Sequence, residues 1–360
     1  MTARHQFEVR LEGPIDFAAS LEIFRRSGDD LIDRWDGEWL TRTARLDGRC
    51  VAYTCRPAGT LEAPALIVMV EDEADAPAIE HALSKSFVRL TPEFADLCRT
   101  DPVIGRLARL HRGFRPILHP DLMVALVRCI SAQQVNLKWA ATVRRRLAES
   151  YGRRHEVGGQ FVYSLDPDRL AQCEIADIRA LQFTTSKAGY VINAARAVAR
   201  GELDVAQLDA IPDDDVIARV TAVRGLGVWS AEWVLARTLG RPRISAGDLG
   251  VRKAVGKAYF TMAAPRGLGR PPTMATPPVG GRVCEAQPRF GLGRPPDGRM
   301  PTPDEVRAAT AHWGAATALA QELLLHAQHQ KTLADGSTVA PPAAQSRSTP
   351  KRKPRAPSTT

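Results

Sequence analysis

Val223-Arg224-Gly225-Leu226-Gly227-Val228-Trp229-Ser230-Ala231 joins two segments of helical apolar periodicity, and its reading decides how the rest of the chain is understood. Two glycines one residue apart let the backbone turn tightly and approach a partner, because neither carries a Cβ. The segment that follows opens as a helix whose first N–H groups point outward, a place for a phosphate. Asp248 lies 17 positions beyond Ala231. A hairpin able to grip a DNA backbone, followed by a single carboxylate, implies an enzyme working on DNA.

Outward from the hairpin, apolar spacing predicts helices over 91–110, 120–130, 137–151, 166–171, 175–181, 185–200, 213–223, 228–239 and 249–260. From residue 91 onward no β patterning is read. Residues 5–90 differ: strands are predicted at 6–11, 39–46, 50–56 and 65–71, the middle two separated by Asp47-Gly48, a hairpin signal. Helices are expected at 16–26, capped by Asp16, and at 75–90. The fold class is therefore α+β: a small N-terminal mixed α/β domain (1–90) followed by an all-α domain (91–260 plus 302–330) with a helix-hairpin-helix at 213–239. Residues 261–301 are dense in Pro and Gly and repeat Gly-Leu-Gly-Arg-Pro-Pro at 267–272 and 291–296; they read as a flexible insertion. Thr302-Pro303-Asp304-Glu305 opens a last helix running to about 328. The tail, 331–360, reads as basic and disordered.

At 360 residues the chain is long enough for two domains with cores of their own. No apolar run approaches the ~20 residues of a membrane helix, and the N-terminus has no apolar signal core, so an intracellular (cytoplasmic) protein working with DNA is expected. The six cysteines are scattered without a Cys-x-x-Cys pair, which argues against structural zinc or an iron–sulfur cluster. The net charge of +9 invites a nucleic-acid reading, but its location weakens it. Residues 331–360 hold six basic residues against one acidic, and 262–300 hold six against two. Those segments carry the whole excess, and the remainder is formally neutral.

The hairpin, the segment Leu126–Asn136 (Leu-Val-Arg-Cys-Ile-Ser-Ala-Gln-Gln-Val-Asn) and Ser245-Ala-Gly-Asp248-Leu-Gly-Val-Arg-Lys253 together resemble the helix-hairpin-helix glycine/proline/aspartate superfamily of base-excision DNA glycosylases. Within it the likeness is greatest to the 3-methyladenine type. The resemblance spans roughly 5–330 with the insertion excluded, and the small N-terminal domain fits that subfamily. It implies a monofunctional hydrolase that flips a damaged purine out of double-stranded DNA and cuts its N-glycosidic bond. Alkylated purines are the expected substrates, with deaminated purines in second place.

On this resemblance Asp248 is the catalytic carboxylate. Base departure builds positive charge on the sugar, and a carboxylate beside C1′ stabilises it and orients water. Asp248 equally suits a cap for the helix starting at 249. Trp229 occupies the place where strand-cutting relatives carry a Schiff-base lysine, so no lyase step is expected. Its indole, with Trp233 one turn on, is read as lining the base pocket, although a Trp pair at this spacing also suits a core. Gln134 corresponds to the residue that fills the gap left by the flipped base. Gly225, Gly227 and Ser230 are read as contacting the DNA backbone. The backbone carbonyls of Thr221, Val223 and Leu226 match the family's ligands for a structural monovalent cation, Na+ or K+; no other cofactor is implied, and a monomer is expected.

The chain departs from the family in its last helix. The usual Trp-x-Pro-Trp-Arg-Ser is replaced by Trp313-Gly-Ala-Ala-Thr-Ala318, and Leu325 stands where an aromatic residue lines the pocket. A degenerate pocket would leave a non-catalytic DNA-binding protein as the competing reading. A glycosylase/lyase acting on oxidised bases is a third, opposed by Trp229 and by the scattered cysteines.

Overall fold

The alternating N-terminal residues form one antiparallel sheet. The computed structural model describes residues 5–46, 48–260 and 299–333. Within them β1 (His5–Arg10), β2 (Arg34–Trp35), β3 (Leu40–Leu46), β4 (Arg49–Gly59) and β5 (Pro64–Val70) pair in the order β1-β5-β4-β3-β2. Two helices pack on this sheet: α1 (Phe17–Leu21), whose first turn is capped by Asp16, and α2 (Ala76–Ser84). Phe17, Leu21, Ile79 and Leu83 bury against Val9, Leu66 and Val68. The α+β class is as expected. Most of the insertion and the tail fall outside the described residues.

Helices make up most of the remaining described residues: α3 (Pro92–Thr100), α4 (Pro102–Leu110), α5 (Leu122–Ala132), α6 (Leu137–Tyr151), α7 (Pro167–Ala171), α8 (Ile175–Ala180), α9 (Thr185–Ala199), α10 (Val205–Asp209), α11 (Asp213–Ala222), α12 (Val228–Arg237), α13 (Leu249–Val255), α14 (Pro303–Thr310) and α15 (Thr317–His329). They bury two separate cores. One gathers α5 to α12 around Leu126, Ile130, Leu147, Val191 and Leu235. The other gathers α3, α4 and α13 to α15 around Ile104, Leu107, Val255, Trp313 and Leu323.

Three expectations are corrected. The helix expected over 91–110 is two, because Asp101 precedes Pro102 and leaves the helical region. Its Oδ1 then accepts the N–H groups of Val103 and Ile104 at 2.8 and 3.0 Å, capping α4. The domain is not all-α: β6 (Gly152–Val157) and β7 (Gln160–Leu165) form a hairpin turned by Gly158 and Gly159, both at positive φ. It docks on the N-terminal layer through Tyr163 N–H to Leu31 O at 2.8 Å and Arg34 Nη1 to Phe161 O at 2.8 Å. The last helix is broken at Gly314 (φ 50°, ψ −128°), which separates α14 from α15.

A buried ion network joins the N-terminal layer to the first helical core. Asp30 and Asp33 sit before β2, Arg42 is on β3, Arg128 on α5 and Arg144 on α6. Arg42 Nε donates to Asp33 Oδ1 at 2.6 Å, Arg128 Nη2 to Asp33 Oδ2 at 2.7 Å, and Arg144 Nε to Asp30 Oδ2 at 2.8 Å. Burial alone would raise both carboxyls, but the adjacent guanidiniums overcome it. Asp30 lies below its ordinary value and Asp33 well below it.

Candidate active site

Asp248 lies in the seam between the two helical cores. The hairpin helix α12 belongs to the first, and α13, which Asp248 opens, belongs to the second. Both of its oxygens are in use. Oδ1 accepts Val251 N–H at 2.9 Å and caps α13, while Oδ2 accepts Trp229 Nε1–H at 3.2 Å across the seam. The cap and the catalytic placement are therefore compatible, one oxygen serving each.

Trp229 and Asp248 are thus brought together, and Trp229 is first of all a donor to the acid. Leu325 belongs to the same place: a Cβ added at Gly250 would meet Asp248 Oδ1 at 2.9 Å and Leu325 Cδ2 at 3.3 Å. Trp233 has ring neighbours of its own. The ring of His119 stacks on it with centroids 5.4 Å apart and planes 29° apart, and the Arg237 guanidinium lies 5.8 Å from its ring centre. With His119 on one face, Trp233 has less ring to offer a base than its sequence position implied. Burial pushes the His119 imidazole down to about 4, against the pull of Asp33, so it is neutral at neutral pH.

The hairpin itself sits between α11 and α12. Gly225 has φ 103°, and a Cβ there would lie 2.2 Å from Tyr190 Cδ1, so glycine is required on two counts. Gly227 caps α12 with an ordinary φ of −106°, and a Cβ there would meet open space. Its glycine leaves the first amides of α12 uncovered rather than satisfying a backbone need. Two side chains steady the turn. Asn193 Nδ2 donates to Arg224 O at 3.3 Å, and Gln133 Nε2 to Gly225 O at 3.4 Å. Those carbonyls are not among the three implied cation ligands. Val223 O accepts Leu226 N–H at 3.0 Å and keeps a second lone pair. No side-chain donor among the described residues takes the carbonyls of Thr221, Val223 and Leu226.

Gln134 is exposed at the junction of α5 and α6 with φ 53°, a left-handed conformation that costs a non-glycine residue about 1 kcal/mol. Gln133, its neighbour, reaches the hairpin, so the segment stands beside the turn. Leu137, Val228 and Leu249 are large exposed apolar side chains, each within three residues of Gln134, Gly227 or Asp248.

Ser230 requires a correction. It is 1% exposed, and its hydroxyl finds no partner among the described residues. The hydroxyl is therefore turned into the protein. Two residues escaped the sequence reading, His119 and Glu232. Glu232, on the buried face of α12, is 1% exposed and accepts from Arg307 Nη2 at 3.3 Å; burial raises its carboxyl above the ordinary value. Among the described residues no group of three His, Cys, Asp or Glu side chains could hold a metal ion, and no helix is long and apolar enough to cross a membrane.

Two helices joined by a glycine turn, with an acid returned to the second helix by the following loop, define a helix-hairpin-helix protein with an acidic centre. Residues 127–266 match the model of the HhH-GPD superfamily of base excision DNA repair proteins. A DNA-3-methyladenine glycosylase of Bacillus subtilis is 33% identical over 154 residues, covering 42% of this chain and 50% of that protein. The chain spans about half the length of the curated relatives it matches. The likeness of fold extends further. The structure of a 3-methyladenine DNA glycosylase from Archaeoglobus fulgidus superposes with a TM-score of 0.68 at 18% identity, over 89% of this chain and 96% of that one. An 8-oxoguanine glycosylase/lyase of Clostridium acetobutylicum superposes with a TM-score of 0.60 at 14% identity, over 89% and 93%.

Proposed function

We propose that this protein is a monofunctional DNA glycosylase, which flips a damaged purine from the duplex and hydrolyses its N-glycosidic bond to leave an abasic site. Alkylated purines are its main substrates and deaminated purines its second. The observation that carries this reading is Asp248, held by Trp229 on one oxygen and by its own helix on the other.

In this mechanism the hairpin amides of α12 take a backbone phosphate, with Gly225 and Gly227 allowing close approach. Gln134 enters the stack as the base leaves it. A monovalent cation on the carbonyls of Thr221, Val223 and Leu226 would add a positive charge beside that phosphate. As the base departs, the ionised Asp248 stabilises the positive sugar and orients the attacking water. Trp229 supplies no amine, so no covalent sugar adduct forms at that position.

The test is base release from duplexes each carrying one defined lesion, with abasic sites revealed by heat or alkali. Wild-type protein should release methylated purines, and Asp248→Asn should bind the same DNA without release. Binding without release by the wild type would instead support a non-catalytic DNA-binding protein. Trapping of a covalent DNA adduct by borohydride would overturn the monofunctional assignment.

A further inference from the structure

Leu325 touches Gly250 beside Asp248 and also walls a cavity of about 20 Å3. Ile23, Arg26, Phe114, Arg237, Glu322 and His326 close the rest of it. That is room for about one water-sized atom, the size of an exocyclic substituent of a base.

Two of its polar groups, Arg237 and Glu322, are paired with each other. Arg237 Nη2 pairs with Glu322 Oε2 at 2.5 Å, and Gln321 Nε2 donates to Glu322 Oε1 at 3.1 Å. His326 stacks on Phe114 with centroids 4.2 Å apart, and burial, then repulsion from His111 and Arg26, pushes it down to about 4. The Arg26 side chain makes no hydrogen bond or ion pair with any described residue. Burial and the charge of Arg237 lower it, while Glu322 and Glu22 oppose them, yet an arginine stays protonated. Its nitrogens are not among the buried side-chain atoms without a partner, so solvent reaches them, and its donors stay available to an acceptor that enters the cavity.

We propose that Arg26 is a specificity-determining residue of the base pocket that donates to the exocyclic oxygen of 6-oxopurines, an inference that rests on the glycosylase reading above. A 6-aminopurine presents N–H donors at the same place, which a guanidinium cannot pair. Among N-alkylated bases, guanines are then released ahead of adenines. Hypoxanthine, which carries the same oxygen, joins the favoured class.

Methylated duplex DNA carries 7-methylguanine and 3-methyladenine in one substrate, and a second duplex carries a single hypoxanthine. Initial rates of release are compared for wild type, Arg26→Met and Arg26→Lys. The methionine variant should lower the ratio of 7-methylguanine to 3-methyladenine about tenfold and slow hypoxanthine release by a similar factor, and lysine should restore most of both. The ratio does not depend on how much of a variant is folded. An unchanged ratio overturns the proposal. So do equal losses for all three bases with a flatter salt dependence, which would make Arg26 a phosphate contact. If the wild type releases no base from either duplex, the glycosylase reading itself fails; an active wild type with an unchanged ratio sinks the Arg26 assignment alone.

Discussion

Asp248 divides its carboxylate between two donors, and that division separates chemistry from stability. Asparagine caps helices about as well as aspartate, so Asp248→Asn should leave the melting temperature nearly unchanged. Loss of the negative charge should slow base release at least ~100-fold while DNA binding persists; a variant that still turns over would remove Asp248 from the mechanism. Trp229 poses a different choice, between holding the acid and stacking the base. Trp229→Phe keeps an aromatic ring and loses the N–H that reaches Asp248. If the indole positions the acid, kcat should fall about tenfold with KM little changed; a raised KM at unchanged kcat would mean stacking dominates. Asp248 was legible from its distance to the hairpin. The direction of each indole was not, because a residue type and a helical spacing do not say which neighbour faces the ring. Nor was the burial of the Ser230 hydroxyl legible, because position in a hairpin helix does not say which way a side chain turns.

The hairpin contrasts two glycines that look alike in sequence. Gly225→Ala forces a left-handed φ on alanine and drives its Cβ into Tyr190. It should cost about 1–3 kcal/mol in stability and weaken DNA binding as well. Gly227→Ala meets neither obstacle, so the melting temperature should hold while affinity falls, because the new methyl covers the amides that take the phosphate. Thermal melting and fluorescence anisotropy with a short duplex separate the two, and equal stability losses would refute this division. At this scale legibility followed the strength of local chemistry. Thr302-Pro303-Asp304-Glu305 opens a helix as its sequence implied, and Thr302 and Glu305 cap it reciprocally, with Glu305 N–H to Thr302 Oγ1 at 3.3 Å and Thr302 N–H to Glu305 Oε2 at 2.7 Å. The β6–β7 hairpin was missed although Gly158-Gly159 is a two-residue turn signal between alternating runs. Helical periodicity on both sides outweighed it, and its docking on the N-terminal sheet is a long-range fact.

Across the whole molecule, the N-terminal layer and the active site are joined through one buried network, and its ionisation makes their union pH-dependent. His119 lies beside Asp33 and stacks on Trp233, and His326 lies behind Leu325; both are pushed down to about 4 from an ordinary 6.5, chiefly by burial. In the unfolded chain each takes up a proton as pH falls through 6.5, whereas the folded protein resists until about 4. The unfolded state binds more protons across that window, so stability should fall with pH from 6.5 to 4. Each fully buried histidine steepens the fall by at most about 1.4 kcal/mol per pH unit. Asp30 and Asp33 act lower on the scale. Their folded values lie below the ordinary 3.8, so their contribution is present above it and is lost only as pH drops through those depressed values. Urea unfolding midpoints between pH 7.5 and 3 should therefore decline in two stages. His326→Phe keeps the stack on Phe114 and removes one titrating group, so it should flatten the first stage and leave the second intact. A decline that begins only below pH 4, or one that His326→Phe does not alter, would mean these histidines are protonated in the folded protein. The coupling of the layers would then rest on the carboxylates and their arginines alone.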